Sequence, residues 1–353
     1  MRKRLLLVHH FPLASVTGVT VMVSEVLRLF PAISASTDVC YLHYEGIGAA
    51  GNLVRILQEE HSDAACVVGI NLHIEVRPDL SRALATWCAS SGIPLFNNVQ
   101  DYWPQHTTEL RHLTERQSVR LLASSCFVAE QLRQDGFETG YLPMGAQLPT
   151  SRASPSERPV VAAVGRLVRR KRFPDVVCAF RLAGLDRLAD LRLTLVPSQV
   201  FQPGQDAAQM QLIEQEMAIP GFRSDAVRVV EGPEVPPPYG GFTVYVCASD
   251  YEGFSMTPYE AAYCGCPPIV SDIPPHRSMA ESLFAEWAEK FLYPVGDRDA
   301  LAAALRDEIA TGIRRRYLKD RLGEIQRQVE ESFSVHVTAR ALAQLCDRVA
   351  GSP

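Results

Sequence analysis

The sequence has no apolar run approaching the ~20 residues that cross a bilayer as a helix. Paired cysteine motifs are missing too. The nine cysteines include no CxxC, and Cys264-Gly265-Cys266 has no partner pair at zinc-binding spacing. Most of them sit inside apolar segments such as Cys66-Val67-Val68, where a free thiol behaves as a small hydrophobe. That usage points to a reduced, cytosolic protein. An excess of positive charge is also lacking. The 35 Lys and Arg face 40 Asp and Glu, a net charge of −5, which excludes a globally basic surface for duplex nucleic acid or anionic lipid. What the chain does have is apolar material. At 353 residues and 47% hydrophobic it can bury a sizeable core, and roughly 150 residues per domain suggests two domains. Met1-Arg2-Lys3-Arg4 ahead of Leu5-Leu6-Leu7-Val8 imitates a secretion signal, but His9, His10 and Pro12 end the apolar stretch early. The same residues suit a first buried strand.

Short apolar runs alternate with segments of helical period, the pattern of a parallel α/β sheet. Strands are expected at Leu5–Val8, Val39–Leu42, Cys66–Ile70, Pro94–Asn97, Leu121–Ala123 and Gly140–Leu142, with helices at Val19–Phe30 and Leu80–Ala89. Leu148–Pro159 is rich in Ser and Pro and reads as a boundary. The pattern then restarts, with strands at Val160–Val164, Leu191–Val196, Val227–Val230, Thr243–Cys247 and Pro268–Ser271. Helices are expected at Asp175–Leu182, Gln209–Met217, Pro258–Tyr263 and His336–Val349. Two such halves in series predict two facing Rossmann-like domains with ligand between them, at the strand carboxyl ends.

Two stretches carry chemistry. In Val164-Gly165-Arg166-Leu167-Val168-Arg169-Arg170-Lys171 an apolar strand ends at a glycine and cations follow, at the end of a strand that receives anions in doubly wound domains. Arg166 offers a planar fork and Lys171 a point charge to a diphosphate; the bland alternative is a solvated charge run. The second stretch, Glu252-Gly253-Phe254-Ser255-Met256-Thr257-Pro258-Tyr259-Glu260, follows the strand Thr243–Cys247. Thr257 and Pro258 fit the N-cap and first position of a helix, whose unpaired amides attract phosphate. Two carboxylates beside a phosphate would repel it unless each accepts hydrogen bonds from sugar hydroxyls.

Together these stretches resemble the retaining glycosyltransferases of family 4. That resemblance implies the GT-B fold with an interdomain cleft. It also implies an N-terminal acceptor-side domain over residues 1–147, a donor domain over 148–332, and a helix over 333–353 that crosses back. Gly165-Arg166 with Lys171 is similar to the family's donor-diphosphate pair, and Glu252 to Glu260 to its E-x7-E motif. Leu142-Pro143-Met144-Gly145 resembles the interdomain segment, and Phe333-Ser334 the start of the crossover.

The implied activity is transfer of a hexose-type sugar from a nucleoside-diphosphate sugar to an acceptor hydroxyl. Anomeric configuration would be retained, and neither metal nor cofactor is implied. Arg166 and Lys171 would stabilise the leaving diphosphate, helped by the amides of Ser255, Met256 and Thr257. Glu252 would hold hydroxyls of the transferred sugar and Glu260 the ribose 2′- and 3′-hydroxyls, with Phe254 beside them. Gly18 would let the backbone approach the diphosphate. A donor phosphate oxygen would take the acceptor proton, so no protein nucleophile is implied. The acceptor could be a polysaccharide or lipopolysaccharide, a lipid carrier or a natural product, with the protein cytoplasmic and contact with the inner membrane face left open. A non-catalytic nucleotide-sugar-binding relative or partner subunit, and another GT-B chemistry such as an epimerase or phosphorylase, are the alternatives.

The chain departs from the family at several points. Thr17-Gly18-Val19 stands where adjacent glycines are usual, Asn71 where a site histidine is common, Gln100-Asp101 where His-Asp is frequent, and Pro197-Ser198 in place of a glycine turn. Asn71, His73, Gln100, Asp101 and Trp103 are candidate sugar or acceptor contacts, with Tyr102 also suited to stacking. Asp297-Arg298-Asp299 spells a metal motif of another fold, but its place ahead of Ala300–Ile309 favours a helix cap. His9-His10 lacks further metal ligands at suitable spacing and is expected in a loop near the cleft. Ser124-Ser125 lacks the context of a nucleophile elbow. Arg111, Arg116 and Arg120 fall on a candidate cationic helix, a spacing more often found on a solvated face.

Overall fold

Leu5, Leu6, Leu7 and Val8 expose 1% or less of their surface, because the strand that carries them, Lys3–His9 (β1), is covered on both faces. The computed structural model describes residues 2–13, 18–74, 76–148, 156–197, 204–232 and 238–351. It divides the chain into two compact units, Met1–Gly145 with Phe333–Pro353, and Ala146–Ser332.

In the first unit β1 is followed by helix Gly18–Ile33 (α1), strand Thr37–His43 (β2), helix Ala50–Glu60 (α2) and strand Ala64–Ile70 (β3). Helix Pro78–Ser90 (α3), strand Leu95–Val99 (β4) and a short helix Thr107–Arg111 (α4) come next. Strand Arg120–Ala123 (β5), helix Cys126–Gln134 (α5) and strand Thr139–Tyr141 (β6) complete the series. The six strands are parallel, in the order β2-β1-β3-β4-β5-β6. Side chains alternate across a strand, so Leu5 and Leu7 pack with Val23, Val26 and Phe30 of α1. Leu6 and Val8 meet Leu53, Leu57, Leu80 and Leu84 on the opposite face. Burial on both faces is why the strand reads as a continuous apolar run.

The second unit repeats the scheme. Strand Val160–Arg166 (β7), helix Phe173–Leu182 (α6), strand Asp190–Val196 (β8), helix Gln205–Met217 (α7) and strand Val227–Glu231 (β9) form its first half. Strand Val244–Cys247 (β10), helix Met256–Tyr263 (α8), strand Pro268–Ser271 (β11), helix Pro274–Phe284 (α9) and strand Leu292–Tyr293 (β12) form the second. Helices Arg298–Thr311 (α10) and Ile313–Ser332 (α11) end this unit. Its parallel sheet runs β12-β11-β10-β7-β8-β9. The chain winds outward from β7 to one edge and from β10 to the other, so the order reverses between β7 and β10. Ligands of such sheets bind beyond the strand carboxyl ends at that reversal.

The last helix, Val335–Gly351 (α12), belongs to the first unit, where Val335, Ala339, Leu342 and Cys346 join the cluster of α1 and β3. Thr338 Oγ1 donates to the Pro143 carbonyl at 2.8 Å. Gly145 lies so close that a Cβ there would stand 2.2 Å from the Ser334 carbonyl oxygen. Of the expected boundary Leu148–Pro159, residues 149–155 lie outside the described residues, as do Thr17, Ser198 and the first two prolines of Pro236-Pro237-Pro238.

Arg111, Arg116 and Arg120 do not share one helix. Arg111 ends α4, Arg116 lies in a wider π turn after it, and Arg120 opens β5. Two of the three are used locally. The Arg111 guanidinium lies 5.2 Å from the Phe137 ring centre and that of Arg120 5.7 Å from Phe96. Among the described residues no helix is long and apolar enough to cross a membrane.

Candidate active site

The loops that leave β7 and β10 are tied together by charge. After β7, a 3-10 turn over Arg169–Lys171 leads to Arg172, which takes a left-handed conformation (φ 51°) and turns the chain into α6. The Lys171 ammonium donates to Glu252 Oε1 at 2.5 Å, and Arg170 Nη1 donates to Glu252 Oε2 at 2.8 Å and to the Tyr251 carbonyl at 2.7 Å. The Ser249 hydroxyl completes the set, 2.6 Å from Oε1. Backbone joins backbone as well, the Asp250 amide donating to the Arg170 carbonyl. Glu252 is 4% exposed. Burial alone would raise its pKa, but Lys171 and Arg170 prevail and hold it well below the usual carboxylate range.

A carboxylate has about four lone-pair positions. Three donors already reach Glu252, so about one position remains for a sugar hydroxyl.

Arg166 closes β7, partly exposed. A Cβ at Gly165 would lie 3.4 Å from Lys171 Cε, so the glycine lets the lysine stem pass close to the strand end. Arg170, to which the motifs give no role, is a second cation on Glu252, at 2.8 Å against 2.5 Å for Lys171. Its lack of a motif position hid it; only the pairing of the two loops shows its partner.

The α8 helix begins at Met256, with Ser255 at its N-cap, rather than at Thr257-Pro258. Thr257 is the second residue of the helix and so does not cap it; its hydroxyl accepts from the buried Tyr245 hydroxyl at 2.6 Å. Pro258 then occupies the third helical position, where its missing amide forfeits no helical bond. The amides of Met256 and Thr257 thus fall in the first turn, a favourable place for an anion. Phe254 stacks on Tyr259 with ring centres 5.1 Å apart.

Glu260 is 6% exposed and accepts at Oε2 from the Tyr239 hydroxyl at 2.9 Å, with the Gln147 amide as a second donor. Burial pushes its pKa up to about 7 in spite of both hydrogen bonds. Two of its roughly four acceptor positions remain, the number that a ribose diol needs. Tyr239 was not singled out from sequence. It is fully enclosed and meets Tyr245 edge-on at 5.6 Å.

In the first unit, Gly18 is the first residue of α1 rather than a loop residue. Asn71 follows β3 in a left-handed conformation (φ 55°), and its Oδ1 accepts from the Gln100 amide at 2.8 Å. Gln100 is buried, donates to Asn98 Oδ1 at 3.1 Å, and its Oε1 has no hydrogen-bond partner among the described residues. His73 is fully buried with both ring nitrogens engaged, Nε2 on the Asp101 carbonyl at 3.0 Å and Nδ1 beside Asn97 Nδ2 at 3.3 Å. It braces the loop after β4 instead of offering an edge to substrate. Asp101 and Trp103 are partly exposed. Tyr102 is not a stacking platform, because it is 2% exposed with its hydroxyl bonded to Asp135 and Thr107.

His9 ends β1 and His10 follows, and both are buried rather than looped out. His10 Nε2 donates to the Asn71 carbonyl at 3.0 Å. Asp297 caps α10 by accepting from the Ala300 amide at 2.8 Å, as its position suggested. Among the described residues no group of three or more His, Cys, Asp or Glu is placed to hold a metal ion.

Residues 147–323, which carry the whole Lys171–Glu252–Glu260 arrangement, match the family model of the glycosyl transferases group 1. The chain belongs to this family. As a group 1 glycosyltransferase it has the GT-B fold, with structural neighbours matched along their full length. It is similar to a glycosyltransferase from Rickettsia africae (TM-score 0.72, 13% identity, 100% of each chain). It is also similar to a sucrose-phosphate synthase from Thermosynechococcus elongatus (TM-score 0.71, 17% identity, 98% of this chain and 99% of that one). A third similar structure is the lipopolysaccharide outer core galactosyltransferase WaaB in its apo form (TM-score 0.60, 16% identity, 98% and 99%). At such identities the likeness is one of fold. No curated protein matches this glycosyltransferase in sequence.

Proposed function

We propose that this glycosyltransferase is a retaining enzyme of family 4 that moves a hexose-type sugar from a nucleoside-diphosphate sugar to an acceptor hydroxyl without a metal. The observation that carries the reading is the meeting of Lys171 and Arg170 on Glu252 at the β7–β10 reversal. A diphosphate leaving group gains negative charge as the glycosidic bond breaks. Lys171 has three donors and uses one on Glu252, so it can bind that carboxylate and a phosphate oxygen together. Arg166 at the end of β7 and the first-turn amides of α8 add fixed positive ends to the same group. Together they do what a divalent cation does in other transferases.

Glu252 holds one hydroxyl of the transferred sugar and Glu260 the ribose diol, in keeping with their remaining acceptor positions. In the first unit, Asn71, Gln100, Asp101 and Trp103 are proposed to meet the sugar or the acceptor. Attack on the face that the diphosphate leaves retains the anomeric configuration, with a donor phosphate oxygen taking the acceptor proton.

The test is turnover of a panel of sugar nucleotides against candidate acceptors in the presence of EDTA, with the product anomer read by proton NMR. Product of the donor's own anomeric configuration is expected. An inverted product, or activity abolished by EDTA and restored by a divalent ion, would overturn the reading.

A further inference from the structure

A run of hydrogen bonds leads from Glu252 into the interior of the second unit. The Ser249 hydroxyl lies 2.6 Å from Glu252 Oε1, and an ionised carboxylate only accepts, so the serine is the donor. The Ser249 carbonyl in turn accepts from Ser271 Oγ, at the end of β11. With its proton committed there, Ser271 Oγ can only accept from His276 Nδ1, 3.2 Å away, and the Ser271 carbonyl 2.9 Å from the same nitrogen can also only accept. His276 Nδ1 must therefore carry a proton. Every direction in the run is thus fixed by chemistry, from His276 to Ser271, Ser249 and Glu252.

The run is wholly interior. His276, Ser271 and Ser249 have no exposed surface and Glu252 has 4%. A polar side chain placed so deep costs stability unless it is satisfied, and a simpler core would use an apolar one. The turn that presents His276 is also closed from outside, where Arg277 grips Asp272 with two bonds of 2.8 and 2.6 Å. Among the described residues His276 Nε2 meets no hydrogen-bond partner of good geometry, while the imidazole interacts with the Cys247 thiol through both charge and a hydrogen-bond contribution. Against burial, each favours the other's charged form, so the thiol is drawn down and the imidazole up. Cys247 also lies 3.5 Å from Ser249 Oγ.

We propose that His276 is a positioning residue for Glu252: through Ser271 it holds Ser249 where that hydroxyl donates to Oε1, and so sets which lone pair the carboxylate offers to the transferred sugar. This rests on the reading of Glu252 as an acceptor for sugar hydroxyls. A histidine that merely fills the core would serve through its volume. The positioning role depends instead on a donor at Nδ1, which an asparagine amide can reproduce and a glutamine amide, reaching toward Nε2, cannot.

The test compares His276→Asn, His276→Gln and Ser249→Ala with wild type by calorimetry, using UDP with UDP-glucose, GDP with GDP-mannose, and ADP with ADP-glucose, alongside crystal structures of each variant. In His276→Gln and Ser249→Ala the preference for the sugar nucleotide over its bare diphosphate should fall about tenfold, the worth of one hydrogen bond to a charged group. Diphosphate affinity should hold, and His276→Asn should recover most of the preference. Equal behaviour of the Asn and Gln variants, or an unchanged preference in Ser249→Ala, overturns the proposal. Ser249→Ala carries the test alone if the Gln variant does not fold. If wild type binds no member of any pair, the donor reading fails separately. The crystal structures then decide: a Glu252 carboxylate moved by about 1 Å in His276→Gln and in place in His276→Asn supports positioning, and one in place in both overturns it.

Discussion

Lys171 and Glu252, 81 positions apart in sequence, form an ion pair of 2.5 Å between the loops after β7 and β10. Both are largely enclosed, so the pair is not a screened surface contact. Removing one partner of such a pair leaves the other charge uncompensated. Arg170 and Ser249 still bond Glu252 in a Lys171→Ala variant, so the unit should fold. Its turnover should fall on the order of 10²–10³, as with loss of one charge-stabilising donor. Steady-state kinetics at saturating donor check this. Turnover at the wild-type rate would remove Lys171 from the diphosphate site.

Glu260 should make stability depend on pH. Burial pushes its carboxyl up to about 7 in the folded protein, against 4.5 for a glutamate side chain free in water. A carboxyl raised in this way contributes stability that is fully present below about 4.5 and is lost as pH rises through about 7. At about 1.4 kcal/mol per pH unit the loss is on the order of 3 kcal/mol. Glu260→Gln, which has no charge to bury, should therefore gain in melting temperature on wild type between pH 5 and pH 8. A constant difference across that range would show that Glu260 ionises as an exposed carboxylate does.

Gly145 is required by close approach. Its Cβ would meet the Ser334 carbonyl oxygen at 2.2 Å and the Val335 nitrogen at 2.4 Å, both backbone atoms that cannot swing aside. Gly145→Ala should cost roughly 1–3 kcal/mol, as overpacking does, through a shift of the start of α12. Thermal unfolding with a midpoint equal to wild type would contradict that contact.

Asp297 separates a cap from a metal ligand. Asp297→Ala should lower stability by about 1 kcal/mol, the usual worth of an N-cap, and leave turnover unchanged. A loss of activity without a loss of stability would point to a role in the reaction.

The alternation of apolar runs and helical periods located the sheets, because strands buried on both faces must be apolar throughout, as Leu5–Val8 is. The two-residue strand β12 is too short to carry such a pattern. In α11 only Leu318, Ile325 and Val329 are buried apolar residues, too sparse to mark twenty residues as a helix. Of the site, Lys171, Glu252 and Glu260 were legible as motif positions. Their partners were not. Arg170, Tyr239 and His276 make their contacts between separate segments, and Thr257 falls inside α8, which starts at Met256, instead of capping it. The burial of His73 was hidden for the same reason, since a histidine beside a strand end looks alike whether it faces solvent or the Asp101 carbonyl.

The central claim is that the loops after β7 and β10 bind a nucleoside diphosphate. Its most direct test is the melting temperature of wild type and of Lys171→Ala with UDP, GDP, ADP and dTDP in turn. One of the four should raise the wild-type midpoint by roughly 5 °C or more at a hundredfold excess over Kd and have far less effect on the variant. A wild-type midpoint unmoved by all four, or moved equally in the variant, would contradict the claim.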